Sequence, residues 1–209
     1  MKINYQKLMD DELLRVKLSG NVPRLLLHAC CAPCSSYVLE YLTEYFDITV
    51  YFYNPNITDS AEWHKRADEI SRLVSLMEHK NRIDIVTPEH APERFFAFTR
   101  GLEGLAEGGQ RCFLCYRERL LATAKYMSEH VGEYDYFATT LTVSPHKNAA
   151  KLNEIGAELE TQLDVRYLAS DFKKREGYKR SIELSREYGL YRQDFCGCEF
   201  SREYKHGND

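Results

Sequence analysis

The sequence predicts an α/β fold: a mainly parallel, Rossmann-like sheet flanked by helices, formed as a single domain over residues 1–209 with cysteine-bearing, metal-binding loops. Two observations predict it. Short apolar runs alternate with longer segments whose apolar residues recur every three or four positions, the pattern of strands joined by helical crossovers. The 209 residues, 44% of them hydrophobic, are enough for one well-cored domain, and no repeat, low-complexity tract or linker divides them. Such a sheet binds ligands beyond the carboxyl ends of its strands, so the strand-to-helix turns are where chemistry is expected.

The elements follow in order. Tyr5, Leu8, Met9, Leu13, Leu14 and Leu18 form an amphipathic stripe, giving a helix within residues 1–20 that Gly20 and Pro23 end. "RLLLHA" (24–29) is a buried strand and "SSYVLEYLTEYF" (35–46) the helix after it. "DITVYFYNPN" (47–56) is a second strand closed by an Asn-Pro turn, followed by a long helix (59–80) that Asp59 or Ser60 caps. "NRIDIVTP" (81–88) gives a third strand, "PERFFAFTRGL" (92–102) a short helix, and "CFLCYRERLLATAKYMSEHV" (112–131) a helix that two cysteines open. "YDYFATTLT" (134–142) is a fourth strand running into the loop "VSPHKN". A helix around 148–160, a short strand "VRYLA" (165–169), a basic loop, the helix "YKRSIELSREYG" (178–189) and a tail (190–209) bearing "CGC" complete the chain.

A net charge of -4 offers no global basic field, so a nucleic-acid partner has to be held by a local patch. The first twenty residues mix charges into their apolar positions and lack the apolar core of a signal peptide, and no later stretch reaches the length of a membrane span. A cytoplasmic protein with no membrane partner is expected. Seven cysteines, an odd number, in a reducing compartment point away from a disulfide framework and toward metal or redox chemistry.

All seven fall in turns or at a helix start: Cys30, Cys31 and Cys34 after the first strand, Cys112 and Cys115 at a helix start, Cys196 and Cys198 in the tail. Two C-x-x-C spacings and one C-x-C bring sulfurs together within a turn, as metal ligands require. A lone C-x-x-C arises by chance and buried cysteine is common. Three compact clusters with no cysteine elsewhere favour metal binding. Four thiolates suit zinc or an iron-sulfur cluster equally, but seven exceed what one zinc needs. A thioredoxin-like redox pair would leave the other cysteines without a task.

The stretches "LLLHACCAPCSSYVLEYL", "YNPNI", "GGQRCFLCYRERLLATA", "FATTLTVSPHKN" and "SDFKKREGYKRSIELSREYGLYRQDFCGC", in that order over about residues 24–201, resemble the epoxyqueuosine reductase QueH family. The resemblance implies a fold similar to the Rossmann-like nucleotide hydrolase group. It also implies an oxidoreductase that reduces the epoxide of epoxyqueuosine, at the wobble position of tRNA anticodons, to the alkene of queuosine without cobalamin. The implied cofactors are a 4Fe-4S cluster, with Cys30, Cys31, Cys112, Cys115, Cys196 and Cys198 as its expected ligands, and a neighbouring second metal ion, expected to be iron. Some members carry an aspartate at the place of Cys34; as cysteine it is expected to serve that second metal. The implied partners are the tRNA and an electron donor.

Removing an epoxide oxygen as water takes two electrons and two protons. A cluster that cycles by one electron therefore needs a relay or a second redox partner, and a Lewis-acidic ion would weaken the C–O bond. Asp171, Tyr178, His146 and Tyr116 are the candidate proton donors. Between Asp171 and Arg180, Lys173, Lys174, Arg175, Lys179 and Arg180 oppose Asp171 and Glu176, five positive against two negative for a local net of +3. With Lys147 they are the expected phosphate contacts. Plainer roles stand beside these: His28 as a packed core residue, Ser144 as a helix cap, Asn54, Pro55 and Asn56 as a turn, Trp63 as packing, Arg111 tuning a cluster's charge. Two other functions remain open. One is a zinc-stabilised RNA-binding module. The other is an ATP-dependent tRNA thiolase of PP-loop type, with Ser35 and Ser36 opening the phosphate-binding helix, although "CCAPCSS" lacks the glycines such a loop uses.

Overall fold

A computed structural model describes residues 3–201. Four parallel strands, β1 (Arg24–His28), β2 (Asp47–Tyr51), β3 (Ile83–Val86) and β4 (Tyr136–Thr139), form one sheet in the order β3-β2-β1-β4. Leu26 of β1 lies opposite Thr49 of β2 on one side and Phe137 of β4 on the other. The helices are α1 (Tyr5–Ser19), α2 (Ala32–Leu42), α3 (Ser60–Leu76), α4 (Pro92–Thr99), α5 (Gln110–Glu129), α6 (Ala149–Leu163) and α7 (Gly177–Glu187). None of them is long and apolar enough to cross a membrane.

The strand period of two explains how both faces are filled. Leu25, Leu27, Ile48 and Val50 point into a core shared with α1, α2 and α3, whereas Leu26, Tyr51 and Phe137 point into a second core with α5 and α6. Three consecutive leucines in β1 are therefore all buried, as expected of a parallel sheet covered on both sides. From β1 the chain steps outward to β2 and β3, then returns across the other face to place β4 on the free side of β1. The crevice beyond the ends of β1 and β4 is thus the switch point of the sheet, the place where such folds bind ligands.

Several boundaries differ from the sequence expectation, each for a local reason. α2 starts at Ala32, with Cys31 as its N-cap residue and Pro33 in the first turn, where a missing N–H costs nothing. α5 likewise starts earlier, at Gln110. In α1, Met9, Leu13 and Val16 are buried, whereas Leu8, Leu14 and Leu18 of the expected stripe face solvent. β4 stops at Thr139 because that side chain accepts the Leu141 N–H at 3.1 Å and turns the chain into a 3-10 turn, Thr140–Val143. "VRYLA" makes only a single bridge, Tyr167 to Phe137, before Asn153 captures the backbone of Ser170 at 2.9 Å and draws it off the sheet. Asn148, not Ser144, caps α6. His28 and Trp63 are core residues as expected, and the tail beyond residue 201 lies outside the described residues.

Candidate metal centre

The first thiol group is built by the turn from β1 into α2. Cys30 ends the loop, Cys31 is the N-cap and Cys34 lies in the first helical turn, so a short connection aims three sulfurs at one point. The Cys30 and Cys31 sulfurs are 3.6 Å apart, and all three lie within 4.8 Å of one another. A tetrahedral thiolate site with metal–sulfur bonds of about 2.3 Å spaces its sulfurs by roughly 3.8 Å, so this donor set fits a single ion. Hydrogen bonds from Cys31 and Cys34 pull the Cys30 thiol well below its ordinary range. In return Cys31 is pushed up to about 12 and Cys34 well above the usual thiol value by their hydrogen bonds to Cys30, where negative charge is favoured. The N-terminus of α2 favours that charge.

The other four cysteines gather around Cys196. Cys112 and Cys115 are one turn apart at the start of α5, Cys115 packs with Cys198 and Phe95, and the charge of Cys196 is felt at all three. Among the described residues the set that lies within 4.8 Å is Cys30, Cys31 and Cys34, and these four form no such tight set. Burial acts to raise the Cys196 thiol, but the Lys147 ammonium at 3.2 Å and the Arg119 guanidinium outweigh it and hold Cys196 below the ordinary range. Burial pushes Cys115 up to about 11 and Cys198 to about 12. Cys30 and Cys31, which the sequence reading counted among the cluster ligands, thus lie in one tight set with Cys34.

The tail is pinned by α3. Arg66, paired with Glu62 at 2.7 Å, also donates to the carbonyls of Cys196 at 3.2 Å and Phe195 at 3.4 Å. Gly197, at φ +103°, gives the C-G-C turn a conformation that side chains rarely adopt, and an added Cβ would meet Ile57 at 2.8 Å. Arg111 is buried, and its guanidinium holds the carbonyls of Leu102 and Glu103, fixing the loop before α5.

A cavity of about 560 Å³ opens at this point, lined by Cys30, Cys34, Asn54, Arg119, Tyr178 and Cys196 among others. Of the expected proton donors, His146 and Tyr178 line it. Tyr116 is instead a core ring whose hydroxyl burial pushes above its usual range, and Asp171 pairs with Lys173 at 3.2 Å away from the lining. The cations expected to meet RNA are mostly engaged: Lys147 with Cys196, Lys173 with Asp171 and the Thr142 carbonyl, Arg175 with Asp10, Lys179 with Glu176, Arg180 with Glu40. Lys174 is exposed and has no ion pair among the described residues. Sequence reasoning missed Arg119, Arg66 and the role of Asn54. A signal existed for Arg119, which follows Cys115 by one helical turn on the same face.

Comparison with known proteins gives a consistent result. Residues 25–204 match the family model described as epoxyqueuosine reductase QueH. The chain is similar to the epoxyqueuosine reductase QueH of Streptococcus pyogenes, 44% identical over 96% of this chain and 78% of that one. It is also similar to that of Staphylococcus epidermidis, 43% identical over 96% of this chain and 85% of that one. Among solved structures, NMN synthetase from Francisella tularensis aligns with a TM-score of 0.48 at 10% identity, covering 99% of this chain and 82% of that one.

Proposed function

The chain belongs to the epoxyqueuosine reductase QueH family, and from that premise we propose that it reduces the epoxide of epoxyqueuosine in tRNA to the alkene of queuosine, the oxygen leaving as water. The observation that carries the proposal is the division of seven thiols into a tight trio and a group of four, with Cys30 and Cys34 of the first and Cys196 of the second lining one cavity. Cys112, Cys115, Cys196 and Cys198 would hold a 4Fe-4S cluster, and Cys30, Cys31 and Cys34 a single second metal, iron. When bound, these groups supply electrons one at a time and Lewis acidity toward the epoxide oxygen. Two electrons come in turn from an external one-electron donor.

The chain's own residues do the rest. The cavity volume lies within the roughly 300–1,000 Å³ of small-molecule pockets and suits a nucleobase taken out of its stack. Tyr178 through its hydroxyl and His146 through an imidazole nitrogen hold the protons that the departing oxygen takes up. Lys174 and Arg192, both exposed, are the cations for backbone phosphates.

Anaerobically prepared protein is expected to be brown, with iron and acid-labile sulfide. Given a strong one-electron reductant and no cobalamin, it should remove one oxygen from epoxyqueuosine in tRNA, read by mass spectrometry of the digest. Cys34→Ala is expected to keep its sulfide, lose about one iron per chain and lose turnover. An intact, reduced cluster that leaves the epoxide untouched refutes the reaction. Loss of sulfide from Cys34→Ala refutes the division of ligands, and colourless protein holding only zinc favours an RNA-binding module.

A further inference from the structure

We infer that Arg119 is the shared counter-cation of the two thiol sites, a positioning residue whose fixed charge stabilises the reduced, more negative state of the centre. Its side chain is only 1% exposed, yet no carboxylate pairs with it among the described residues. A guanidinium cannot shed its proton, and burying it without a counter-charge is costly. Two neutral groups accept from it: Nη2 donates to Asn54 Oδ1 at 2.6 Å and Nε to His28 Nε2 at 3.2 Å. These partners hold the guanidinium in place. Asn54 is itself fixed by donating to the Ala29 carbonyl at 2.8 Å, and His28 Nδ1 meets Thr139 Oγ1 at 2.9 Å. The cation is therefore anchored to the ends of β1 and β4 and to the turn after β2.

What remains to balance it is sulfur. Arg119 lines the cavity with Cys30, Cys34 and Cys196, and lies one helical turn after Cys115. These cysteines belong to both groups, so one charge faces the trio and the group of four together. Lys147, by contrast, donates to Cys196 at 3.2 Å and sits over the Tyr116 ring at 5.9 Å, so its charge is set against the group of four. A positive charge close to a thiolate-bound cluster favours the state with the extra electron and raises the reduction potential.

This inference rests on the reading that the four thiols hold an iron-sulfur cluster. Wild-type protein without such a cluster would overturn that reading before any variant is compared. The test uses anaerobically loaded, full-length Arg119→Met, Arg119→Lys and Asn54→Asp, with iron and sulfide analysis and a redox titration followed by electron paramagnetic resonance. Asn54→Asp sets a carboxylate against the guanidinium and cancels its charge without removing it. Arg119→Met and Asn54→Asp are expected to titrate at a more negative potential than wild type, and Arg119→Lys between Arg119→Met and wild type. A wild-type potential in either loaded Arg119→Met or loaded Asn54→Asp overturns the inference. If Arg119→Met holds no cluster, Arg119→Lys is expected to retain it, and loss as complete in Arg119→Lys overturns the inference as well.

Discussion

Replacing Arg66 by methionine tests whether α3 holds the C-G-C turn in place. Arg66 is 2% exposed and Glu62 8%, with 2.7 Å between them, so this is a buried ion pair. Removing one partner of such a pair typically costs about 3–5 kcal/mol, because the remaining charge is left without compensation. Tyr191 would still donate to Glu62 at 3.0 Å, which softens the loss without removing it. The bonds to the Cys196 and Phe195 carbonyls vanish too, and at 3.2 and 3.4 Å they are long enough to add little. Against a total stability of roughly 5–15 kcal/mol, a loss of about 3–5 is a large fraction. Urea unfolding of the metal-free, reduced protein should show it, and iron should leave the loaded variant faster than wild type. Glu62→Gln alone should cost less, since Arg66 keeps its two carbonyls. The double variant Glu62→Gln/Arg66→Met should be more stable than Arg66→Met, because no buried charge remains. A cost in Arg66→Met under about 1 kcal/mol, with iron retained, would refute the pinning role.

Two further outcomes follow from packing and charge. In Gly156→Ala the new Cβ would lie 2.3–2.5 Å from the Tyr167 ring, so overpacking of about 1–3 kcal/mol outweighs the helix-propensity gain and the urea midpoint falls; an unchanged or higher midpoint would contradict it. Lys174→Glu should weaken tRNA binding and reduce the salt slope by about one phosphate contact, whereas Arg180→Glu, which breaks an ion pair with Glu40 at 2.6 Å, should change stability by no more than about 1 kcal/mol and binding less than Lys174→Glu does. Filter binding across a salt series checks both, and equal effects would move the RNA surface elsewhere.

The parallel sheet was legible because each apolar run in a strand is flanked by helices that cover both its faces. The tight thiol trio was legible too, since C-C-x-x-C in a strand-to-helix turn leaves little freedom in where the sulfurs point. Which of the three cysteine clusters meet was not. That depends on the tail folding back over α3, governed by Arg66 and Gly197, and neither residue type signals a ligand turn by itself. The charge of the basic loop was only partly legible for a related reason. Arg175 pairs with Asp10, 165 residues away, and Arg180 with Glu40, 140 residues away, so a local count of +3 overstates the free charge. Arg119 escaped notice because an arginine in an amphipathic helix reads as a solvent-facing residue until the fold shows that its face is buried.

The start of α2 decides between two chemistries that parallel α/β sheets place at the same position. A helix N-terminus after the first strand suits phosphate when its free backbone N–H groups are unobstructed, which is why such loops are rich in glycine. Here the first three helical residues are Ala32, Pro33 and Cys34, and Pro33 has no N–H to offer. The Ser35 N–H is already taken by the Cys31 carbonyl at 3.1 Å, and the Ser35 and Ser36 hydroxyls bond backward to the carbonyls of Cys31 and Pro33. The amides and hydroxyls that a pyrophosphate would need are thus fewer or turned into the helix, while Cys30 and Cys34 line the cavity in their place, with Cys31 buried beside them. The positive end of the helix still serves, but what lies at it is the trio of thiols. The same backbone position that holds a phosphate in an ATP-dependent enzyme carries three thiols able to bind a metal in this one, and a cavity opens beyond it.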